Sequence, residues 1–489
     1  MQQYLLRIEA VNFDYAIYDT HDISTIRGGS FMLLDAFEKL KKQRPEWDIG
    51  TSANIGLLKF EAHDDIAANA FKDRLLAEPP LAGLRTLATF TAEVLPFGSG
   101  NDFTRGLHKL TAACRWQQYQ SPALILPQEI ESGEACQFDG VRPAARLVRK
   151  GDQDIKVSSA VHTRSQNGKD LRQGFYENLL GAKEFSRRHF GFTDDLEALS
   201  SDPKRGNLNG KIAFIHIDGN RFGRTRDQKC TNETLLLSFQ SHIQENLRKP
   251  ALRRLLEFAT ASGNESFLTE AGEIRLETLL WGGDEMEWVV PAWQALNVLE
   301  VFFKATSDAD TWQGFKLTHS AGVVFCHHNL PILQVRRYAR DLCDLAKTGL
   351  PTDVNQINAN ANRIVFLNLS AFDLIGSDVK EFLKDYNQPA QPDDFVVQDA
   401  VSALPVWQNH LLALKKHFPR NKIPALLLAL KNQDEQDVND ILSRVEKLMN
   451  RDAWEKSVAP AIAQLTENSQ KQNRWFLIAD LMNYVGEDK

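Results

Sequence analysis

The stretch that decides the fold is TLLWGGDEMEWVV at 278–290, read together with IAFIHIDGNRFG at 212–223. Two runs of β-type residues flank Gly282-Gly283-Asp284-Glu285, the pattern of a tight hairpin with two carboxylates at its tip. The earlier run is apolar and ends on Asp218, which predicts a strand delivering one more carboxylate to its C-terminal end. Hard cations such as Mg²⁺ or Mn²⁺ take carboxylate oxygens, and two ions held by shared acids can activate a hydroxyl and neutralise a triphosphate together. The plainer alternative is two unrelated acidic turns on a soluble enzyme. Gly-Gly-acid-acid between strands is much scarcer than a lone acidic turn.

Outward from this pair, one order of elements occurs twice. A strand at 3–10, a helix at 28–43, a hairpin at 47–61, a helix at 64–77 and a strand at 85–95 give β-α-β-β-α-β. The order returns with a strand at 211–217, a helical stretch at 231–262, a hairpin at 274–291, a helix at 293–306 and a strand at 316–326. An extra helix follows at 331–347. The expected fold is therefore α+β, with two ferredoxin-like, palm-type (GGDEF-like) domains at 1–125 and 209–350. In the first copy IEAVNF (8–13) matches IDGNRF (217–222), so Glu9 stands where Asp218 stands, but the hairpin reads IGTSANIG (49–56) without a carboxylate. One ligand makes a poor metal site, so the first copy is expected to be a non-catalytic partner. Residues 126–208 form a polar insertion with Gly and Arg. From 351 to 489 the pattern becomes helical, with Pro, Asn and Asp punctuation, and predicts a C-terminal bundle.

Composition sets the bounds. A chain of 489 residues, 43% hydrophobic and 25% charged, is ordinary for a multidomain globular protein. A net charge of −7 does not mark a dedicated nucleic-acid binder and leaves any RNA or nucleotide contact to local basic clusters. The five cysteines, at 114, 136, 230, 326 and 343, are odd in number and scattered without a C-x-x-C pair, which points to a reducing compartment. The N-terminus MQQYLLRIEA has no signal pattern and no long apolar run follows. The expectation is a cytoplasmic protein without a membrane segment.

The second copy resembles the large-subunit polymerase and cyclase family of type III CRISPR effector complexes, most closely the subtype with separate RAMP-module partners. IDGNRFG (217–223) is similar to that family's strand-end Asp-Gly-Asp motif and WGGDEMEWVVP (281–291) to its Gly-Gly-Asp-Asp hairpin. HSAGVVFCHHNLP (319–331) resembles the strand and bend that follow, and ARDLCDLAKTG (339–349) the closing Ala-Lys element. Near the N-terminus, DISTIRGGSFMLLDAFEKL (22–40) resembles the opening of the family's first palm helix, and CQFDGVRPA (136–144) the first half of its zinc ribbon. The chain departs from the family at three points. Asn220 replaces an Asp, which removes a charge and weakens the hold on a second ion. Asp139 replaces the ribbon's second Cys and no downstream Cys pair exists, so a four-ligand Zn²⁺ site is not expected. No N-terminal HD nuclease domain is expected: His21-Asp22 lacks the other ligands of a phosphohydrolase and reads better as a turn before a helix.

The resemblance implies attack of a 3′-hydroxyl on the α-phosphorus of ATP with loss of pyrophosphate, repeated and closed into a ring. Asp218 and Asp284 would be catalytic and metal-binding, with Glu285 and Asn220 as further metal ligands. Gly219, Arg221, Gly282, Gly283 and Lys347 would bind nucleotide. A solvated surface cluster explains Arg221, Arg224 and Arg226 equally well, and a pure turn requirement explains the glycines. Gly98, Gly100 and Asn101 suggest a flexible loop after the first palm, with a phosphate or RNA cradle the lesser reading because the helix-start P-loop pattern is missing. His327-His328 are expected to diverge on a strand end, and Trp281 and Trp288 to be core rather than adenine platforms. Implied partners are ATP, guide and target RNA and other CRISPR effector subunits. Two alternatives stay open. One is a catalytically weak palm-fold scaffold binding guide RNA and partner subunits. The other is a diguanylate-cyclase-like enzyme, against which Met286 stands in place of that class's Phe.

Overall fold

The structure, a computed structural model, describes residues 1–98, 103–125, 133–181, 191–369, 375, 378–386 and 390–486. They form mixed α and β structure. Along the chain run β1 (Gln2–Val11), α1 (Ile23–Gln43), β2 (Ile55–Ala62), α2 (Asp65–Ala77), β3 (Thr89–Phe97), α3 (Phe103–Gln120) and α4 (Ser159–Leu180). Then come β4 (Lys211–Gly219), α5 (Lys249–Ala259), β5 (Glu277–Trp281), β6 (Met286–Pro291), α6 (Ala295–Ser307), β7 (His319–His327), α7 (Ile332–Ala346), β8 (Arg363–Asn368) and β9 (Val396–Val397). Two compact units result. The first takes Met1–His189, Arg221–Lys249 and Thr278–Glu287, and the second takes Phe190–Asn220, Pro250–Glu277 and Trp288–Lys489.

In the first unit β1 lies between β2 and β3, antiparallel to both, with Ile8 opposite Gly56 and Ala92. The alternation of β1 buries Tyr4, Leu6 and Ile8 on one face. The hairpin expected at 47–61 keeps only its second strand. Its first half makes isolated bridges, Asp48 to Leu58 and Ser52 to Ile55. The cause is local: the Asp48 carboxylate accepts from Thr51 N at 2.8 Å and turns the chain out of a ladder.

Helix α1 begins five residues before the expected start, because Asp22 caps it and accepts from Thr25 N (2.9 Å) and Thr25 Oγ1 (2.7 Å). Its Gly28-Gly29 pair is a packing device. A Cβ at Gly28 would lie 1.8 Å from the carbonyl oxygen of Arg164 on α4, and one at Gly168 would lie 1.9 Å from that of Ser24. The two helix backbones touch there, and Arg27 Nε donates to Gly168 O at 2.7 Å. Asp22 also pairs with Lys150 at 2.6 Å, so the His21-Asp22 dipeptide is a capped helix start.

The segment likened to half a zinc ribbon is closed by hydrogen bonds. Cys136 N donates to Arg142 O and Gly140 N to Cys136 O, both at 2.8 Å. The Asp139 carboxylate accepts from Val141 N, Arg142 N and Arg142 Nη1, each at 2.9 Å, and from Ser158 Oγ at 3.2 Å. Arg142 continues to Asp19, which also holds Arg164. Among the described residues all five cysteines are free and buried, and no helix is long and apolar enough to cross a membrane.

In the second unit β8 lies between β9 and β7, and β7 lies between β8 and β4. Strand β4 is antiparallel to β7, with Asp218 opposite Ser320, and Ile212–Ile217 form its buried core stretch. Strands β8 and β9 lie where the sequence reading expected only helix. RIVFLN is too short for periodicity to separate a buried strand from a helix, and its parallel pairing with β7 decides it. Beyond it, helices at Ala400–His417, Ile423–Lys431, Glu435–Leu448, Ala459–Leu465 and Trp475–Leu481 fit the helical expectation.

The Asp139 network yields a stability prediction. Burial favours the protonated acid, but hydrogen bonds from Val141 and Arg142 and the Arg142 charge hold its carboxyl below the usual carboxylate range. Asp139→Ala leaves Arg142 partly uncompensated and should cost about 3 kcal/mol in urea unfolding. The wild-type contribution is complete above about pH 4 and lost as pH falls through the lowered folded value. Elemental analysis should find no stoichiometric zinc; one zinc per chain or a neutral Asp139→Ala would contradict this account.

Candidate functional site

Two clusters carry the chemistry-bearing residues, one in each unit. In the second unit β4 carries Asp218 near its end and Gly219 as its last residue, opposite His319. Asp218 forms a short ion pair with Lys347, which caps the C-terminus of α7 and lies 3.3 Å from Asp344. Both partners stay partly open, with side chains 18% and 23% exposed. Burial disfavours the ammonium, yet Cys343, Asp218 and Asp344 together hold Lys347 above the usual lysine range. Lys347, named from the motif resemblance, is tied here to the strand-end acid Asp218.

Asn220 has a different place from the one expected. It is 2% exposed, and its amide is engaged on both sides. Nδ2 donates to Ala361 O at 2.6 Å and Thr318 Oγ1 at 3.1 Å, while Oδ1 accepts from Ser320 Oγ at 2.9 Å. Its backbone N–H reaches Thr318 O at 2.8 Å. Asn220 therefore braces the end of β4 against β7 and the Ala359–Ala361 turn, a role that requires an amide rather than a carboxylate.

In the first unit the hairpin tip closes through Gly282 N to Glu285 O at 2.9 Å. A Cβ at Gly282 would lie 3.3 Å from that carbonyl, whereas Gly283 faces open space. Asp284 is half-buried and Glu285 exposed. Two residues on, Glu287 is fully buried and accepts from Tyr18 Oη at 3.1 Å. Arg221 adopts a left-handed backbone, φ 61°, uncommon for a residue other than glycine, and starts the Phe222–Lys229 helix. Arg226 pairs with its neighbour Asp227 at 2.8 Å.

Sequence reasoning missed Arg248. It ends a π-helical turn, His242–Arg248, and its guanidinium lies 4.2 Å from the Trp281 ring centroid. Nη1 donates to Gln244 at 2.8 Å, while Nε and Nη2 have no hydrogen-bond partner among the described residues. Burial pushes its pKa down to about 9, opposed by the charge of Asp284, so it remains cationic at neutral pH. No local signal in NLRKP announces a π turn, and only the three-dimensional contact with Trp281 reveals the residue.

The remaining sequence candidates sort simply. Trp281 and Trp288 are each 1% exposed and serve as core, Trp288 against Phe302 at 5.7 Å. The rings of His327 and His328 do not diverge; their centroids lie 4.4 Å apart, with hydrogen bonds to Asn329 and Gly210 O. His328 sits past the end of β7, where strand alternation no longer applies. Gly98 is described without neighbours for a Cβ, whereas Gly100 and Asn101 lie outside the described residues.

The sequence matches no known family profile and no curated protein. The fold has clear counterparts among solved structures. Csm1 from T. onnurineus is 12% identical with a TM-score of 0.56, over 99% of this chain and 70% of that one. A Csm1–Csm4 subcomplex of the type III-A CRISPR-Csm interference complex gives 12% and 0.53 over the same shares. A Csm1–Csm4 cassette in complex with cA4 gives 12% and 0.52, again over 99% and 70%. The fold is that of Csm1, in agreement with the type III resemblance of the motifs.

The Asn220 brace makes a prediction opposite to that of a missing metal ligand. Asn220→Asp sets a carboxylate against the Ala361 carbonyl and removes both donated bonds, so it should lower stability by about 3 kcal/mol at neutral pH. The loss should shrink in acid, where the protonated carboxyl regains one donor. Equal urea midpoints for Asn220→Asp and wild type would show that the amide is not the brace described.

Proposed function

We propose that this chain is a nucleotidyl cyclase of a type III CRISPR or related antiviral defence system, converting ATP to cyclic oligonucleotides. The observation that carries the reading is that a chain with the Csm1 fold puts its Asp218 at a strand end and its Asp284 on a Gly-Gly hairpin tip. The cA4 complex of a Csm1–Csm4 cassette supports the product class. On this reading 1–125 and 209–350 are the two palm-type domains, 126–208 the insertion and 351–489 the helical domain, in a cytoplasmic protein. The second palm holds the chemistry.

The donor set suits hard divalent ions. Asp218 and Asp284 each face a cation, Lys347 and Arg248, and carboxylate oxygens are the donors such ions take. Asp218 and Asp284, with Glu285 as an additional oxygen donor, would hold Mg²⁺ or Mn²⁺. Such ions, when bound, lower the pKa of the attacking hydroxyl and neutralise charge on phosphoryl oxygens. Lys347 is the residue proposed to meet the nucleotide's phosphates, joined by Arg221. Gly219, Gly282 and Gly283 allow close backbone approach to the nucleotide. Guide and target RNA and further effector subunits are the proposed partners, after the Csm1–Csm4 assemblies.

The second reading, a scaffold without turnover, is favoured by the ion pair that occupies Asp218. The two are separated by incubating the full chain with ATP or GTP and Mg²⁺ or Mn²⁺, with and without target RNA, and resolving products by mass spectrometry. Cyclic oligoadenylate is expected from ATP, and Asp218→Asn and Asp284→Asn should each lower turnover about 100-fold or more with unchanged melting. Cyclic dinucleotide from GTP would favour the diguanylate-cyclase-like alternative. Full activity in Asp284→Asn would remove the site assignment, and no product under any condition would leave the scaffold.

A further inference from the structure

Helix α3, Phe103–Gln120, stands apart from the rest of an acidic chain. It contains no Asp or Glu, although 64 acidic residues in 489 would place two or three in 18 positions. Its inner face is fixed to the sheet of the first unit. Phe103, Leu110 and Cys114 are buried, Cys114 Sγ donates to Arg7 O at 3.8 Å, and Gln117 Oε1 accepts from Ala92 N at 2.7 Å. The outer face carries Arg105, His108, Lys109, Trp116 and Tyr119, all exposed. At 100° per residue they fall on one stripe.

Two observations on that stripe point to a ligand. Trp116 is 68% and Tyr119 88% exposed, among the largest exposed apolar side chains of the described residues, and they are spaced i, i+3 so that the rings neighbour one another. Arg105 and Lys109 make no ion pair among the described residues, and Arg115, whose charge is taken by Glu9 at 2.7 Å, borders the stripe. Cations at one end of a rigid helix and bare aromatic rings at the other, over about 21 Å, match what an unpaired nucleotide strand offers: phosphates for the former, base faces for the latter. An apolar protein partner would cover the rings equally well, but it gives no account of an acid-free helix in a chain of net charge −7.

We propose that the outer face of α3 is a binding surface for single-stranded nucleic acid, with Trp116 and Tyr119 stacking bases and Arg105 and Lys109 contacting phosphates. The inference concerns a surface other than the carboxylate clusters and does not require the cyclase reading.

The test uses the full chain and fluorescein-labelled 15-nucleotide mixed-sequence RNA and DNA single strands, with an RNA duplex of the same length, in fluorescence anisotropy titrations. Wild type should bind the single strands more tightly than the duplex. Trp116→Ala/Tyr119→Ala should weaken single-strand binding about tenfold or more. Arg105→Gln/Lys109→Gln should flatten the slope of log K against log salt by about 1.4, two phosphate contacts' worth. These side chains are exposed, so melting curves should not move. Weakening for both single strands identifies a general platform, and weakening for RNA alone an RNA platform; either supports the proposal. It is overturned by no single-strand binding in wild type, by duplex binding of equal strength, or by variants that bind as wild type does. It is also overturned if the ring variant keeps its nucleic-acid affinity but loses self-association in sedimentation, which would make the face a protein interface.

Discussion

The second unit turns on how closely α7 lies against β7. A Cβ at Gly322 would fall 1.9 Å from the Ala339 carbonyl oxygen and 2.6 Å from the Cys343 amide nitrogen, so only glycine permits this depth. Cys343 Sγ also donates to Ser320 O at 3.3 Å, which fixes the helix along the strand as well as above it. Lys347 is one turn beyond Cys343, and Asp218 is the residue opposite Ser320 on β4. The ion pair between them is thus a consequence of strand register and helix depth, both set within three residues of β7. Ser320 completes the link by holding Asn220 through its hydroxyl.

The same logic separates two strand-borne acids. Glu9 of β1, matched to Asp218 in the sequence pattern, is 4% exposed and bound by two arginines, Arg7 at 2.8 Å and Arg115 at 2.7 Å. Releasing it to any ligand would strand two guanidinium groups, a cost of several kcal/mol. Asp218 has one flexible lysine partner and an open edge. Exchange of that partner for another cation loses little, because partly exposed ion pairs are worth about 1 kcal/mol or less. The difference between a structural acid and an available one lies in the number and rigidity of its partners rather than in its place on the strand.

What was legible in the sequence follows the physical reach of local signals. Strands β1 and β4 and the β5–β6 hairpin were readable because alternation, apolar runs and Gly-Gly turns act within a few residues. The α1 start was hidden behind Gly28-Gly29, which local propensity reads as unfavourable and the contact with α4 makes necessary. The edge strand near 48–52 failed because one side chain, Asp48, took a backbone donor the ladder needed. Strand β8 was read as helix because its identity comes from a partner forty residues upstream. In the candidate site the carboxylates and Lys347 were named from motifs, whereas the role of Asn220 depends on Thr318 and Ala361, neither near it in the chain.

Two buried arginines show how such distant contacts acquire meaning. Arg142 is surrounded by Asp139, Asp19 and the Tyr15 carbonyl; burial disfavours its charge, but Asp19 and Asp139 hold its pKa above the usual arginine value. Arg248 is as deeply buried but keeps one side-chain acceptor, the face of Trp281 and the field of Asp284. A lysine could not take this position, since it lacks the planar face that lies on the indole. A π turn supplies the geometry at a cost that α-helical continuation would avoid, and turns of this kind persist where a side chain must be re-aimed. The fully paired arginine stabilises the fold. The under-paired one sets a positive charge beside Trp281 and the acid of the hairpin tip.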